Sequence, residues 1–267
     1  MNREGKIEYL IEQLLAENTG YASIPKPVDM QEKRRLLRSL MNVRFPGPVP
    51  PEVIKVQDEL LQEELEEKGV VDVRKLPVIG DEYPCTEIKN ADRIILWQGD
   101  ITRLRADAIV NAANAQMMGC FVPCHGCIDN AIHSAAGLQL RNECAQIIEE
   151  QGHEEPAGKA KLTGGYNLPA SHVIHTVGPI VGGKVTDQQI EQLKSCYKSC
   201  LKLAERHNLK SIAFCCISTG EFHFPNKLAA ETAIHVIDKY LSTSNVERVV
   251  INVYKNEDYN IYKKLFL

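Results

Sequence analysis

Three cysteines and one histidine fall within the eight positions from Cys120 to Cys127, inside the stretch GCFVPCHGCIDNAIHSAAG at residues 119–137. Thiolate and imidazole are the ligands zinc prefers in a tetrahedral shell. Four ligands close the shell and make the metal structural; three leave a position open for chemistry. The segment offers Cys120, Cys124, His125 and Cys127, without the paired layout of a zinc ribbon or the second half of a finger. Positions 125 and 127 alternate and point the same way in extended chain, whereas neighbours 124 and 125 point apart. Pro123 stiffens the stretch between Cys120 and the later candidates. Asp129 follows at once. A carboxylate there suits a general base or an orienting group, and equally a cap for a helix beginning at Asn130. A cysteine-rich loop without metal is the plain alternative.

The remaining cysteines ask for less. The total is nine, an odd number, in a chain of 267 residues with no secretory pattern at its start. The chain therefore reads as cytoplasmic, where disulfide frameworks are rare. Cys215 and Cys216 read as small apolar residues of a buried strand. Cys196 and Cys200 sit at i, i+4 on a helix, with no histidine beside them in sequence. His133, His172 and His175 read as structural, and His223 as a contact to a ligand. A net charge of −4 gives no bulk attraction to nucleic acid or anionic membrane, and no apolar run has the length of a membrane span.

The elements that must position these residues divide near residue 80. Ile7, Leu10, Ile11, Leu14 and Leu15 form a helical stripe, and Leu36, Leu37, Leu40 and Met41 a second. PGPVPP at 46–51 interrupts the chain; Val53, Val56, Leu60, Leu61 and Leu65 then make a third helix, with Pro51 in its first turn and Gly69 at its end. Residues 1–75 read as a helical extension and residues 76–267 as one further domain. In that domain RIILW (93–97), DAIVNAA (107–113), SHVIHTV (171–177), SIAFCCIS (211–218) and RVVINVY (248–254) read as strands. Helices over 130–150, 187–206 and 226–241 lie between them. Continuous apolar strands alternating with helices predict a three-layer α/β/α domain with a mixed, mostly parallel sheet.

Ligands of such sheets bind beyond the carboxyl ends of the strands. The loops there are QGDIT (98–102), NAAN (111–114), LTGGYNLPASH with Gly178 and Pro179, and STGEFHFP (218–225). Glycine and small polar residues between strand and helix bring backbone N–H groups to an anion. No P-loop pattern and no G-x-G-x-x-G after the first strand is present. Together these loops point to a phosphate-bearing ligand.

GDIT (99–102), IVNAAN (109–114), DNAIHSAAG (129–137), TGGYNLP (163–169), VIHTVGP (173–179) and STGEFHFP resemble the macrodomain family in order and spacing. The resemblance covers about 90–254. It departs from the family where a short glycine-rich loop would lie, because Cys120, Cys124, His125 and Cys127 stand there instead. That departure is similar to the zinc-containing subgroup of microbial macrodomains, which also carries an N-terminal helical extension. The resemblance implies a zinc-dependent hydrolase that removes mono-ADP-ribose from modified acidic side chains of proteins. It selects Cys120, His125 and Cys127 as Zn2+ ligands and leaves Cys124 spare.

The resemblance also implies further roles. Asp100 would accept from the adenine amino group, with the Ile101 backbone beside it. Asn114 would fix the distal ribose hydroxyls and share in catalysis with Asp129. Cys127 and Ile128 would line the ligand with Asp129. Ser218, Thr219, Gly220 and Glu221 would hold the diphosphate, with Phe222 against the ribose or phosphates. Zinc beside the distal ribose would act on a water, a ribose hydroxyl or the leaving carboxylate. The implied partners are an ADP-ribosylated protein, in the subgroup a lipoylated carrier like the glycine-cleavage H protein, and a sirtuin-like ADP-ribosyltransferase as counterpart. Two other readings stand beside this one: a domain that binds ADP-ribose without cleaving it, and a structural or redox zinc protein.

Overall fold

A computed structural model describes every residue except Ala22. Three helices open the chain: α1 (Arg3–Ala16), α2 (Met30–Val43) and α3 (Pro51–Lys68). Their stripes meet in one apolar cluster of Ile7, Leu10, Ile11, Leu14, Leu37, Leu40, Met41, Val53, Val56, Leu60 and Leu61. Asp29 caps α2, accepting from the amides of Gln31 and Glu32. Gly69 ends α3 at φ 76°, a conformation that glycine adopts without strain. Ion pairs such as Arg34–Glu64 at 2.5 Å and Lys33–Glu8 at 2.6 Å join the outer faces.

After Gly69 the chain enters a second core. A short strand β1 (Val71–Asp72) is followed by the one-turn helix α4 (Ile79–Glu82), the strand β2 (Ile94–Gln98), the short β3 (Leu104–Arg105) and β4 (Ala108–Ala113). Helices α5 (Ile128–Ala136) and α6 (Leu138–Gln151) follow, then β5 (Ala160–Gly164) and β6 (His172–Val177). The chain ends α7 (Asp187–Arg206), β7 (Ser211–Phe214), α8 (Asn226–Leu241), β8 (Arg248–Val253) and α9 (Asn256–Phe266). β1 pairs with β3, and Val73 and Ile79 lie in the large core, so that core begins a few residues before position 76.

The main sheet has the order β2-β8-β7-β4-β6-β5. Its pairs are parallel except β5 with β6, which is antiparallel. Consecutive residues of β6 show the two covered faces: His175 meets Cys144 of α6, while the neighbouring Thr176 lies by Cys196 of α7. With both faces covered the domain is the three-layer α/β/α arrangement the strand pattern predicts, and its sheet is mixed and mostly parallel. The helices expected at 187–206 and 226–241 have those bounds. α7 opens with a capping box of Thr186 and Gln189.

Three local expectations are corrected. The run SIAFCCIS is a strand only to Phe214, so Cys215 and Cys216 follow the strand and lead into the 218–225 loop. Residues 160–164 pair as an edge strand, whereas the sequence places LTGG at 162–165 in a loop. The single helix over 130–150 is two, broken at Gly137, which has φ 99° and ψ 179°. The first amide of α6, that of Leu138, donates to Gln57 Oε1 of α3 at 2.9 Å. A side chain of the first unit thus caps a helix of the second.

Gly137 occupies a backbone region that is essentially glycine's alone. A Cβ there would also lie 2.5 Å from Gln57 Nε2. Gly137→Ala is expected to lower unfolding free energy by about 1–3 kcal/mol, read from the urea midpoint. A midpoint unchanged from wild type would contradict the strained break.

Candidate active site at the carboxyl edge of the sheet

β4 runs into the site. Beyond its last residue, Ala113, the Met117 amide donates to Asn114 O at 3.0 Å and turns the chain back. Gly119 completes the turn at φ 80°, where a Cβ would lie 2.8 Å from the His133 ring. Asn114 Nδ2 donates to Gly119 O at 3.1 Å, while its Oδ1 is buried without a partner.

The loop from Gly119 to Cys127 brings three of its four candidate ligands together. Cys120 Sγ, a ring nitrogen of His125 and Cys127 Sγ all lie within 4.8 Å of one another. Cys120 Sγ stands 3.5 Å from His125 Nδ1. Cys124 is turned away. Its backbone is left-handed at φ 52°, in a turn where the His125 amide donates to Val122 O at 3.2 Å. Its sulfur lies 3.3 Å from Ser39 Oγ and donates to Arg35 O at 3.4 Å, both on α2.

α5 begins at Ile128, so the capping residue is Cys127, whose sulfur accepts from the Asn130 amide at 3.4 Å. The capping role allowed for Asp129 is therefore not its role. Burial pushes the Cys127 thiol up to about 12, the Asn130 amide opposes this, and nearby Cys120 and Asp129 add to it.

Asp129 is 5% exposed. Asn111, on β4, donates from Nδ2 to its Oδ1 at 2.7 Å. Burial pushes the carboxyl up to about 6, against the Asn111 hydrogen bond and the charge of Arg141. The same Asn111 amide reaches His175 Nδ1 at 3.1 Å, and His175 Nε2 lies 3.0 Å from Thr163 Oγ1. With Nδ1 accepting, His175 Nε2 carries the proton and donates to Thr163. The result is a buried polar row from β5 through β6 and β4 to the helix start, with Asp129 at its end.

The other residues approach from neighbouring strand ends. Asp100 caps a short turn after β2, accepting from Thr102 N at 3.0 Å and Thr102 Oγ1 at 2.7 Å. Ile101 beside it is buried. Asp100 shares a cavity of about 150 Å³ with Ala131, Ser134 and Ala135 of α5 and with Arg34 and Arg38 of α2. Ser218 is left-handed at φ 66°, with its Oγ buried and unpartnered. Its loop closes on itself through Phe224 N to Ser218 O at 2.9 Å. Gly178 fits beneath because a Cβ there would lie 1.9 Å from Ser218 Oγ. Thr219 and Phe222 are half-buried, and Gly220, Glu221 and His223 are exposed. Glu221 Oε1 lies 3.6 Å from His125 Nε2, which sets this loop against the cysteine–histidine loop. Cys196, Cys200 and Cys215 are buried in the core.

Asn111, Arg38 and Arg141 complete the site without a reading in the sequence, and His175, which the sequence marks as structural, joins them. Asn111 had a signal, being a polar residue inside a continuous apolar strand. Arg38 had none, because its partners lie 87 and 92 positions away.

Fold and site together define an α/β/α domain whose strand-end loops gather a buried carboxylate and a cysteine–histidine group. The chain belongs to the Macro domain family, which residues 110–233 match. It is 47% identical over 266 residues to a protein-ADP-ribose hydrolase of Treponema medium, covering 99% of each chain. A protein-ADP-ribose hydrolase of Staphylococcus aureus is 43% identical over 267 residues, covering 99% of this chain and 96% of the relative. Among solved structures, the Trypanosoma brucei macrodomain in complex with ADP-ribose matches at TM-score 0.65 and 29% identity, over 88% of this chain and 95% of that one.

Burial holds His175 neutral, pushing its pKa down to about 3, among Asn111, Thr163, Cys144 and the equally buried His133. The unfolded chain takes up this proton below about pH 6.5. Stability from this group is complete above that pH and falls as pH drops towards 3, at up to about 1.4 kcal/mol per pH unit. His175→Gln is expected to flatten the wild-type slope between pH 6.5 and 5, as measured by denaturant unfolding. Equal slopes would rule out a buried neutral His175.

Proposed function

We propose that this chain is a zinc-dependent hydrolase that removes mono-ADP-ribose from modified acidic side chains of proteins. The observation that carries the reading is the convergence of Cys120, His125 and Cys127 within 4.8 Å at the N-terminus of the helix that bears Asp129. Two sulfurs and an imidazole nitrogen are a donor set that suits zinc, and three protein ligands leave it open. Bound there, zinc would supply Lewis acidity at the ribose end of the ligand.

The remaining work falls to the chain's own side chains. Asp100 accepts from the adenine amino group, for which a carboxylate is the fitting partner. The unpartnered Oδ1 of Asn114 accepts from a distal ribose hydroxyl. The loop from Ser218 to Phe222 offers backbone N–H groups to the diphosphate. Asp129, held by Asn111 at 2.7 Å, orients the attacking water or the ribose from a fixed direction. Hydrolytic activity is supported by the two relatives named protein-ADP-ribose hydrolase, each matched over almost its whole length. ADP-ribose as the ligand is supported by the Trypanosoma brucei complex. An aspartate or glutamate ester, a lipoylated carrier as the modified protein and a sirtuin-like transferase as counterpart belong to the same proposal and rest on the resemblance of the sequence.

The test is release of free ADP-ribose from a protein modified on acidic side chains. Cys120→Ala and Cys127→Ala are each expected to slow release by about 10²–10³-fold, the loss of several kcal/mol of charge stabilisation. Cys124→Ala is expected to retain the zinc stoichiometry of wild type by metal analysis. Chelation that stops turnover while the chain stays folded supports a catalytic metal; wild-type turnover after complete metal removal would refute it. ADP-ribose binding with no release by any zinc-loaded preparation would make the chain a binding domain.

A further inference from the structure

The ligand loop has little structure of its own. Between Gly119 and Cys127 its internal backbone hydrogen bond is His125 N to Val122 O, among the described residues. Fixing a free residue costs about 1–2 kcal/mol in backbone entropy, so something outside the loop must hold it. We propose that α2 is that element: Arg38 and Asn42 clamp the 120–127 loop and thereby set how tightly it holds its metal. This rests on the zinc reading above.

The contacts are specific to the ligands. Arg38 Nη2 donates to the carbonyl of His125 at 3.3 Å. The same guanidinium donates to Asn130 Oδ1, from Nη2 at 2.7 Å and from Nε at 3.2 Å. Asn130 in turn donates through its backbone to Cys127 Sγ at 3.4 Å and through Nδ2 to Val122 O at 3.0 Å. One arginine thus touches one ligand directly and fixes the residue that orients another. Asn42, 1% exposed, accepts from the Cys124 amide at 2.9 Å and donates to Ser134 Oγ at 3.0 Å. It holds the left-handed turn that places His125.

The clamp is itself anchored. The C-terminal carbonyls of a helix lack partners within it and favour a cation. Arg141 of α6 supplies one, donating to Met41 O at 3.1 Å, Asn42 O at 2.8 Å and Arg44 O. Its guanidinium carbon also lies 4.4 Å from the Phe121 ring centroid, and Phe45 packs on Phe121 at 5.3 Å between centroids. Cys124 has a role in this arrangement that is not ligation: its sulfur seats the loop on α2 between Ser39 and the Arg35 carbonyl.

Outer partners of metal ligands typically change metal affinity or activity by 10–100-fold. Arg38→Ala and Asn42→Ala in the full chain are expected to weaken zinc binding by about that factor, measured by competition with a chromophoric chelator well below the melting temperature. Arg38→Lys keeps the charge but loses the planar fork, and is expected to recover only part of the affinity. Lys33→Ala, on the same helix but paired with Glu4 and Glu8, is the control and should bind zinc as wild type does. Amide hydrogen exchange of residues 120–127 in the metal-free proteins should be faster in Arg38→Ala than in wild type. Arg38→Ala and Asn42→Ala that bind zinc within twofold of wild type would overturn the clamp while leaving the zinc reading intact. If wild type binds no zinc, the zinc reading fails with its affinity claim, and loop exchange unchanged by Arg38→Ala then overturns the clamp as well.

Discussion

The site depends on placing two sulfurs and a ring nitrogen within 4.8 Å of one another on a loop with almost no regular structure. Burial pushes Cys127 towards its protonated form. As the zinc site we propose, such a grouping needs a scaffold that keeps its three donor atoms together. The scaffold is supplied from three directions. Cys127 caps α5, β4 enters through Asn114 and Gly119, and α2 grips the turn between.

A second constraint runs through the sheet. A carboxyl buried as deeply as Asp129 needs a donor, and on its own helix His133 Nε2 stays 3.6 Å from its Oδ1, beyond hydrogen-bond distance. Asn111 answers from β4, in the middle of an otherwise apolar strand. Its amide has a second hydrogen, which His175 takes up. His175 must then stay neutral with Nδ1 free, which burial and Thr163 both favour. Each polar residue in the row is required by the one before it. The same row fixes the direction of the Asp129 oxygen to which Asn111 is bonded.

What the sequence made legible is what periodicity records. The strands RIILW, DAIVNAA, SHVIHTV and RVVINVY are apolar because both faces are covered, and the structure keeps them as β2, β4, β6 and β8. α7 and α8 carry long stripes with clear ends. β5 was not legible, since an edge strand is mostly half-buried and lacks an apolar run. The break at Gly137 shows in the sequence only as a glycine, and the Gln57 side chain that caps the helix after it lies 81 positions from Leu138. At the site, the ligand loop, Asp129 and the 218–225 loop could be located by motif. Arg38 and Asn42 could not, because they act through hydrogen bonds to residues more than 80 positions distant, and no local pattern encodes such a partner.

The division into two cores is less complete than the composition implies, and that bears on the role of the extension. Leu138 of α6 is buried in the cluster formed by α1, α2 and α3. Gln57 caps the same helix, Arg141 one turn further on closes the end of α2, and Arg38 reaches the start of α5. The ligand loop therefore lies on a seam whose two sides each hold part of it. Any ligand that binds the folded loop and not the unfolded one stabilises whatever the loop's geometry requires, by RT ln(1 + [L]/Kd). On this seam the requirement includes α2, and through the shared cluster α1 and α3. A metal bound by three residues of one unit would thus stabilise the docking of the other. The helices that carry no chemical motif of their own are part of the cost, and part of the stability, of the site.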